Sequence, residues 1–392
     1  MRLERLSVLQ AWLCVWLLCL PITALGETVA RCGQGWLETI DGYPVLHLKG
    51  TPYEMGYQHG ALLKQSVREN LHNVLDSKRV SALEVGGVTV NPRWIIDTLS
   101  VAQSPFVPDW YREELKGVAA GADLKLADVA AANFLPELFH CSGFAVMNSA
   151  TVDGTLYHGR ILDYSCDWHL QDHAVLIVAE PEGGIPFANV TFAGFIGSVT
   201  GMNAEHVSIG EMGGGGLGHW AGTPMAVLVR QVLQQAKDLD QATAIFRDAK
   251  RTCEYYYVIA DGKTNRAVGV SASWDRVETI EPGQAHALLP KPVKDCVLLS
   301  AGARYDELAR RAAAGAGKFD SETVRNLLER PIAGRSNLHN ALFEPASTKM
   351  WIANAASDGK PAAEQAYHFF QLSELLERRP RTDSTEIPLA RK

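Results

Sequence analysis

Apolar positions in the first third of the chain recur at helical spacing. From Pro52 to Val80, Leu62, Leu63, Val67, Leu71 and Val74 follow Glu54 and Gln58 at near-helical intervals, and Thr51-Pro52 supplies a start signal. A second helix is predicted from Val107-Pro108-Asp109 through Leu115 and Val118 towards Ala120, and a third from Leu126 through Asn133 to about Leu138. The pattern changes at Cys141. Gly143–Ser149 and Thr155–Arg160 are short strand-like runs joined around Asp153-Gly154, a hairpin-turn pair. Further strands are expected at Ala174–Ala179, Phe187–Phe192, Val207–Glu211, Tyr255–Ala260, Ala267–Ser271 and Lys349–Ala353. Helices are expected at Pro224–Ala236, Leu239–Lys250, Tyr305–Ala313 and Ser321–Glu329. Strand runs interrupted by paired helices imply an α+β fold of stacked layers rather than a parallel βαβ series.

Composition narrows the class. The 392 residues are 47% hydrophobic and 21% charged, which suits a globular chain with a substantial core. A net charge of −7 argues against a nucleic-acid partner, whose binding surface would be basic. At the N-terminus, Arg2, Glu4 and Arg5 precede an apolar run from Leu6 to Ile22, and Ala24-Leu25-Gly26 offers a small-x-small exit. These features predict a secretory signal peptide over residues 1–26, hence a secreted, periplasmic or cell-envelope protein with no stable membrane insertion after its removal. Residues 378–392 are polar and are expected to form a flexible tail. Asn189-Val190-Thr191 is a glycosylation sequon.

Signal removal leaves Cys32, Cys141, Cys166, Cys253 and Cys296, an odd number that leaves one thiol over after pairing. No CxxC pair or zinc framework occurs, and no metal or cofactor is expected. Cys141 precedes a strand-turn-strand unit that brings Arg160–Asp163 back towards it. A cation beside a thiol favours the nucleophilic thiolate, with Asp163 orienting that cation or the base. A buried cysteine beside a surface Arg–Asp pair fits the same residues.

The segments His140-Cys141-Ser142-Gly143, Ser149-Ala150-Thr151-Val152-Asp153-Gly154 and Arg160-Ile161-Leu162-Asp163 resemble the nucleophile region of the isopenicillin N acyltransferase-like family. These are cysteine Ntn hydrolases related to bile-salt and penicillin V hydrolases. Gly50–Gly60, Gly201–Gly210, Tyr257–Asp261 and the region His339–Trp351 resemble other parts of that family in the same order.

The resemblance implies a four-layer αββα Ntn-hydrolase sandwich over residues 141–377, with a helical segment 27–140 released by cleavage between His140 and Cys141 yet still packed. It implies that Cys141 is the catalytic nucleophile, Asp163 the acid beside its amino group and Arg160 the arginine beside the thiol. Ile161 replaces the family's usual Asn. Asn203 and Asn337 are candidate oxyanion donors, with Asn340 or a backbone N–H as alternatives, and Glu211 and Arg335 are candidate substrate-binding residues. The implied activity is acyl transfer from, or hydrolysis of, a small-molecule amide or thioester. The alternatives are a lipid amidase or phospholipase B-like hydrolase, and a secreted binding protein with a degenerate site. Oligomeric state is not legible.

Overall fold

Residues 27–50 carry no helical spacing, and they form strands. The computed structural model describes residues 27–75, 83–85, 88–90, 92–134, 141–215 and 218–389. The expected signal peptide, Leu138 and His140 lie outside the described residues. Strands β1 (Glu27–Cys32), β2 (Gly35–Ile40) and β3 (Tyr43–Gly50) make an antiparallel meander. Helices α1 (Pro52–Leu62) and α2 (Lys64–Leu75) follow, then a small hairpin of β4 (Leu83–Val85) and β5 (Val88–Val90). Helices α3 (Pro92–Gln103), α4 (Asp109–Ala122) and α5 (Leu126–Asn133) complete this part.

The α1 start is well specified. Thr51 accepts from the Glu54 N–H and its own N–H reaches the Glu54 carboxylate, a reciprocal cap with Pro52 in the first turn. Four glycines then let α1 cross α4 at close range. A Cβ at Gly56 would stand 2.0 Å from the Glu114 carbonyl oxygen, and one at Gly117 would stand 2.2 Å from that of Tyr53. Gly60 and Gly121 repeat the arrangement one turn further on.

After Cys141 come β6 (Ser142–Asn148) and β7 (Gly154–Asp163), then β8 (Ala174–Pro181), β9 (Phe187–Phe192), β10 (Thr200–Asn203) and β11 (Val207–Gly213). Helices α6 (Met225–Gln235) and α7 (Leu239–Asp248) precede β12 (Glu254–Asp261), β13 (Arg266–Ser273), β14 (Val277–Ile280) and β15 (Cys296–Leu299). Helix α8 (Gly302–Gly315), β16 (Asn337–Glu344), β17 (Lys349–Asn354), β18 (His368–Gln371), α9 (Leu372–Glu377) and β19 (Thr385–Ile387) close the chain. The expected helix at Ser321–Glu329 is a 3-10 turn, Thr323–Leu328.

Two sheets result. The larger runs β14-β13-β12-β11-β10-β9-β8-β3-β2-β1-β19 and the smaller β15-β6-β7-β16-β17-β18. They stack face to face, β11–β13 against β6, β7 and β15, burying Ala145, Val297, Met212 and Val258 between them. Helices α1, α6 and α7 cover the outer face of the large sheet through Leu46, Ile209, Leu233, Phe246 and Tyr257. Helix α8 and the 3-10 turn cover β15 and β7 on the other side. The fold is thus α+β, with two stacked sheets between helical layers as expected.

Two expectations change. The first third is not only helical, because β1–β3 extend the large sheet and β3 pairs in parallel with β8. The described part of the tail, residues 378–389, is not loose. Arg378 clasps the buried Glu38 carboxylate at 2.7–3.1 Å, and β19 pairs in parallel with β1. Burial works against the charge on Glu38, but His47 and Arg378 hold its carboxyl below the ordinary value. The sequon is also corrected as a modification site in the folded chain. Asn189 is buried in β9, between β8 and β10, and its amide donates to the Gly197 carbonyl. No helix among the described residues is long and apolar enough to cross a membrane.

Candidate active site around Cys141

The hairpin does what its sequence requires. Gly154 takes φ +84°, Asp153 accepts from the Thr155 N–H at 3.0 Å, and β7 returns antiparallel to β6. The register sets Ser142 opposite Ile161 and Gly143 opposite Arg160. The next step along β6 brings Cys141 level with Leu162. Cys141 is buried and lines a cavity of about 420 Å³ with Met212, Gly213–Gly215, Tyr256, Ile280, His286, Leu289, Leu299 and Ser300. Most of these contacts are apolar or glycine. A second, smaller cavity of about 100 Å³, walled by Leu162, Trp168, Phe192, Phe195 and Met225, lies between the N-terminal helices and β7.

The structure brings Arg160 and Asp163 into the same region but gives them different partners. Arg160 is fully buried on the face of β7 that meets the large sheet. Its Nε donates to the Glu211 carbonyl at 3.0 Å, and its Nη2 stands 3.6 Å from the Glu211 carboxylate. Gly210 permits this, because a Cβ there would sit 2.6 Å from Arg160 Cγ. Glu211, expected to face substrate, is therefore buried against Arg160. Neighbouring His158 and His339 are held neutral by burial and by the Arg160 charge, His158 at about 3.

Asp163 is paired with Arg304 at the start of α8, and its other oxygen accepts from the Gly334 N–H at 2.9 Å. Burial pushes its carboxyl up, an effect that Arg304, the Gly334 N–H and Arg160 oppose. Arg304 also donates to Ser142 Oγ at 2.8 Å and to the Ile332 carbonyl at 2.6 Å, while Ser142 meets Ser300 at 2.7 Å. One guanidinium thereby ties the first residue of β6, the last of β7 and the 332–334 loop together. Sequence reasoning missed Arg304, which lies far along the chain in a helix whose spacing advertises no chemistry.

The asparagines are committed elsewhere. Asn203 donates to the Leu233 and Ala236 carbonyls and accepts from the Glu205 and Val207 N–H groups, fastening the β10–β11 turn to the end of α6. Asn337 pairs opposite Asp163, but its amide donates to the Leu162 carbonyl and to Asn340 Oδ1 and accepts from the Ala363 N–H. Asn340 donates to the Leu328 carbonyl and the Tyr367 hydroxyl. Arg335 is exposed next to Gly334, in the loop that holds Asp163.

One other cavity group, His286, escaped the sequence reading. His286 Nδ1 accepts from the Leu288 N–H at 3.2 Å, and its Nε2 faces Glu278 at 3.7 Å. Tyr256 projects from β12 into the cavity, whereas Tyr257 packs outward on Phe246. The alternation of Tyr255, Tyr256 and Tyr257 in a strand allows one of them to line an acyl pocket, and it is Tyr256 that does so.

Over residues 150–287 the chain matches the family described as acyl-coenzyme A:6-aminopenicillanic acid acyl-transferase. The sequence resemblance pointed to this same family. The acyl-transferase match begins just beyond Cys141, at the β6–β7 turn. The chain is 28% identical to protein dcd1A of Dictyostelium discoideum over 60% of its own length and 60% of that protein's. It is 27% identical to the N-acylethanolamine-hydrolyzing acid amidase of Rattus norvegicus over 51% of its own length and 58% of the amidase. The chain thus spans about 60% of the length of these curated relatives. Among solved structures, the Caenorhabditis elegans ortholog of that amidase aligns with 53% of this chain and 93% of its own, at 17% identity and a TM-score of 0.41. A conjugated bile acid hydrolase from Clostridium perfringens aligns with 63% and 99%, at 10% identity and a TM-score of 0.38.

Proposed function

We propose that this protein is an exported, self-processing acyltransferase or amidohydrolase in which Cys141 becomes an N-terminal nucleophile after cleavage from His140. The observation that carries this reading is the position of Cys141, buried at the head of β6 on the wall of a largely apolar cavity. Cleavage would give Cys141 a free α-amine. With a typical pKa near 8 against about 8.5 for a thiol, that amine can take the thiol proton at almost no cost near neutrality. The thiolate attacks an amide or thioester carbonyl. The α-ammonium returns its proton to the leaving group, and water or an amine resolves the acyl-enzyme.

Asp163 stands level with the cleavage point and, steadied by Arg304, balances the charge on the α-ammonium. Arg160 supplies positive potential from beneath the hairpin. With Asn203, Asn337 and Asn340 engaged in backbone and side-chain bonds, the oxyanion donor falls to the backbone of Gly213–Gly215 beside Cys141. The lining of Ile280, Leu289 and Leu299 suits an apolar acyl group, and the rat relative's name favours an N-acyl amide over a thioester. Purified wild-type protein should yield chains 27–140 and 141–392 by intact mass, while Cys141→Ala should remain a single chain. An active wild-type protein that is never cut, or normal cutting in Cys141→Ala, would contradict this mechanism.

A further inference from the structure

The inner face of β12 carries Val258, Tyr256 and Glu254 in sequence from the core towards the cavity mouth. Val258 packs against the close approach at Gly143, and Tyr256 stands opposite Met212 and lines the cavity with Cys141. Two residues further out on the same face, Glu254 accepts a hydrogen bond from the Tyr256 hydroxyl at 2.9 Å. That contact fixes its carboxylate. Its other oxygen lies 3.5 Å from where a Cβ on Gly215 would be, so the glycine run keeps the space before it clear. The basic side chains Arg276 and His286 both face Glu278, at 3.2 and 3.7 Å. Among the described residues, no cation stands within ion-pair distance of Glu254.

We infer that Glu254 selects substrates whose amine portion carries a positive charge. This inference rests on Cys141 forming an acyl-enzyme. With the acyl chain against Ile280, Leu289 and Leu299 and the carbonyl at Cys141, the leaving or accepting amine points to the mouth. A cation carried a few bonds beyond that nitrogen meets the Glu254 carboxylate, and an anion there is repelled. Tyr256 acts as a positioning residue, holding the carboxylate towards the cavity.

The test compares two octanoyl amides of equal length, one of 1,4-diaminobutane and one of pentylamine, with the mature protein. The wild type should prefer the cationic amide in kcat/KM by roughly tenfold or more, chiefly through KM, and the preference should shrink as salt is raised. Glu254→Gln, which keeps the contact to Tyr256, should bring the ratio close to one, and Tyr256→Phe should lower it partway. Mass analysis of Cys141 keeps the two readings separate. Acyl adducts formed equally fast from both amides, or a preference retained in Glu254→Gln, would overturn the charge selection alone. No adduct from either amide would overturn it together with the nucleophile assignment.

Discussion

At the residue scale, the site rests on two arginines whose positions were not equally legible. Arg160 and Asp163 could be found from Cys141 because a hairpin turn is a local signal and an antiparallel return follows from it. Arg304 could not, because only the packing of α8 on β15 brings it to Asp163. The same limit explains Asn203 and Asn337. Their residue type suits an oxyanion donor, but whether an amide is available depends on which carbonyls surround it. Removing Arg304 leaves a buried carboxylate without its cation, a change that typically costs about 3–5 kcal/mol. Arg304→Ala should lower the denaturation midpoint and reduce kcat/KM on the order of a hundredfold, and Arg304→Lys should restore part of both. Activity that survives Arg304→Ala unchanged would remove Arg304 from the site.

At the element scale, amphipathic helices and apolar strands, including β9 and β11 that are buried on both faces, were read with small boundary changes, whereas a buried strand with a polar start was not. β16 shows no strand pattern because it begins Asn337-Leu338-His339-Asn340. It is an inner strand buried from Asn337 to Phe343, where Asn337 and Asn340 bond each other and nearby backbone and His339 Nε2 meets Thr200 Oγ1. β19 carries no strand pattern and is fixed by pairing with β1 and by Arg378. The α1–α4 crossing is legible only in retrospect, as glycines four apart in both helices. Gly117→Val would drive a side chain into the α1 backbone. Helix separation of this kind should cost several kcal/mol, at or above the roughly 1–3 kcal/mol usual for overpacking. A thermal melt of the variant should fall well below that of the wild type.

At the scale of the whole molecule, the proposed cleavage divides a single globule. β1–β3 complete the large sheet from one side of the cut. Glu114 in α4 forms a buried, two-point pair with Arg230 in α6 across it. The two chains should therefore remain together after processing. The interior also carries a pH dependence. Burial, reinforced by neighbouring arginines, holds His59 and His158 neutral with values near 3, well below the ordinary 6.5. Below pH 6.5 the unfolded chain takes up protons that the folded chain refuses, so stability falls as pH drops through that range. Between pH 6.5 and 5 each such histidine removes about 2 kcal/mol, while burial of Glu114 and Asp163 opposes part of the loss at lower pH. Melts at pH 7 and 5 should show this drop, and His158→Gln, which retains a partner for Ser208, should lessen it. A melt that is flat across the window would contradict the neutral assignment.

The central claim is that a thiol at a newly made N-terminus carries the acyl group. The most direct measurement is the mass of the peptide beginning at Cys141 after rapid quenching with an N-acyl amide substrate. The account predicts an N-terminal Cys141 peptide heavier by the acyl group, with the leaving amine appearing in equal amount. Turnover with no acyl mass on Cys141, or acylation of another cysteine that persists in Cys141→Ala, would contradict it.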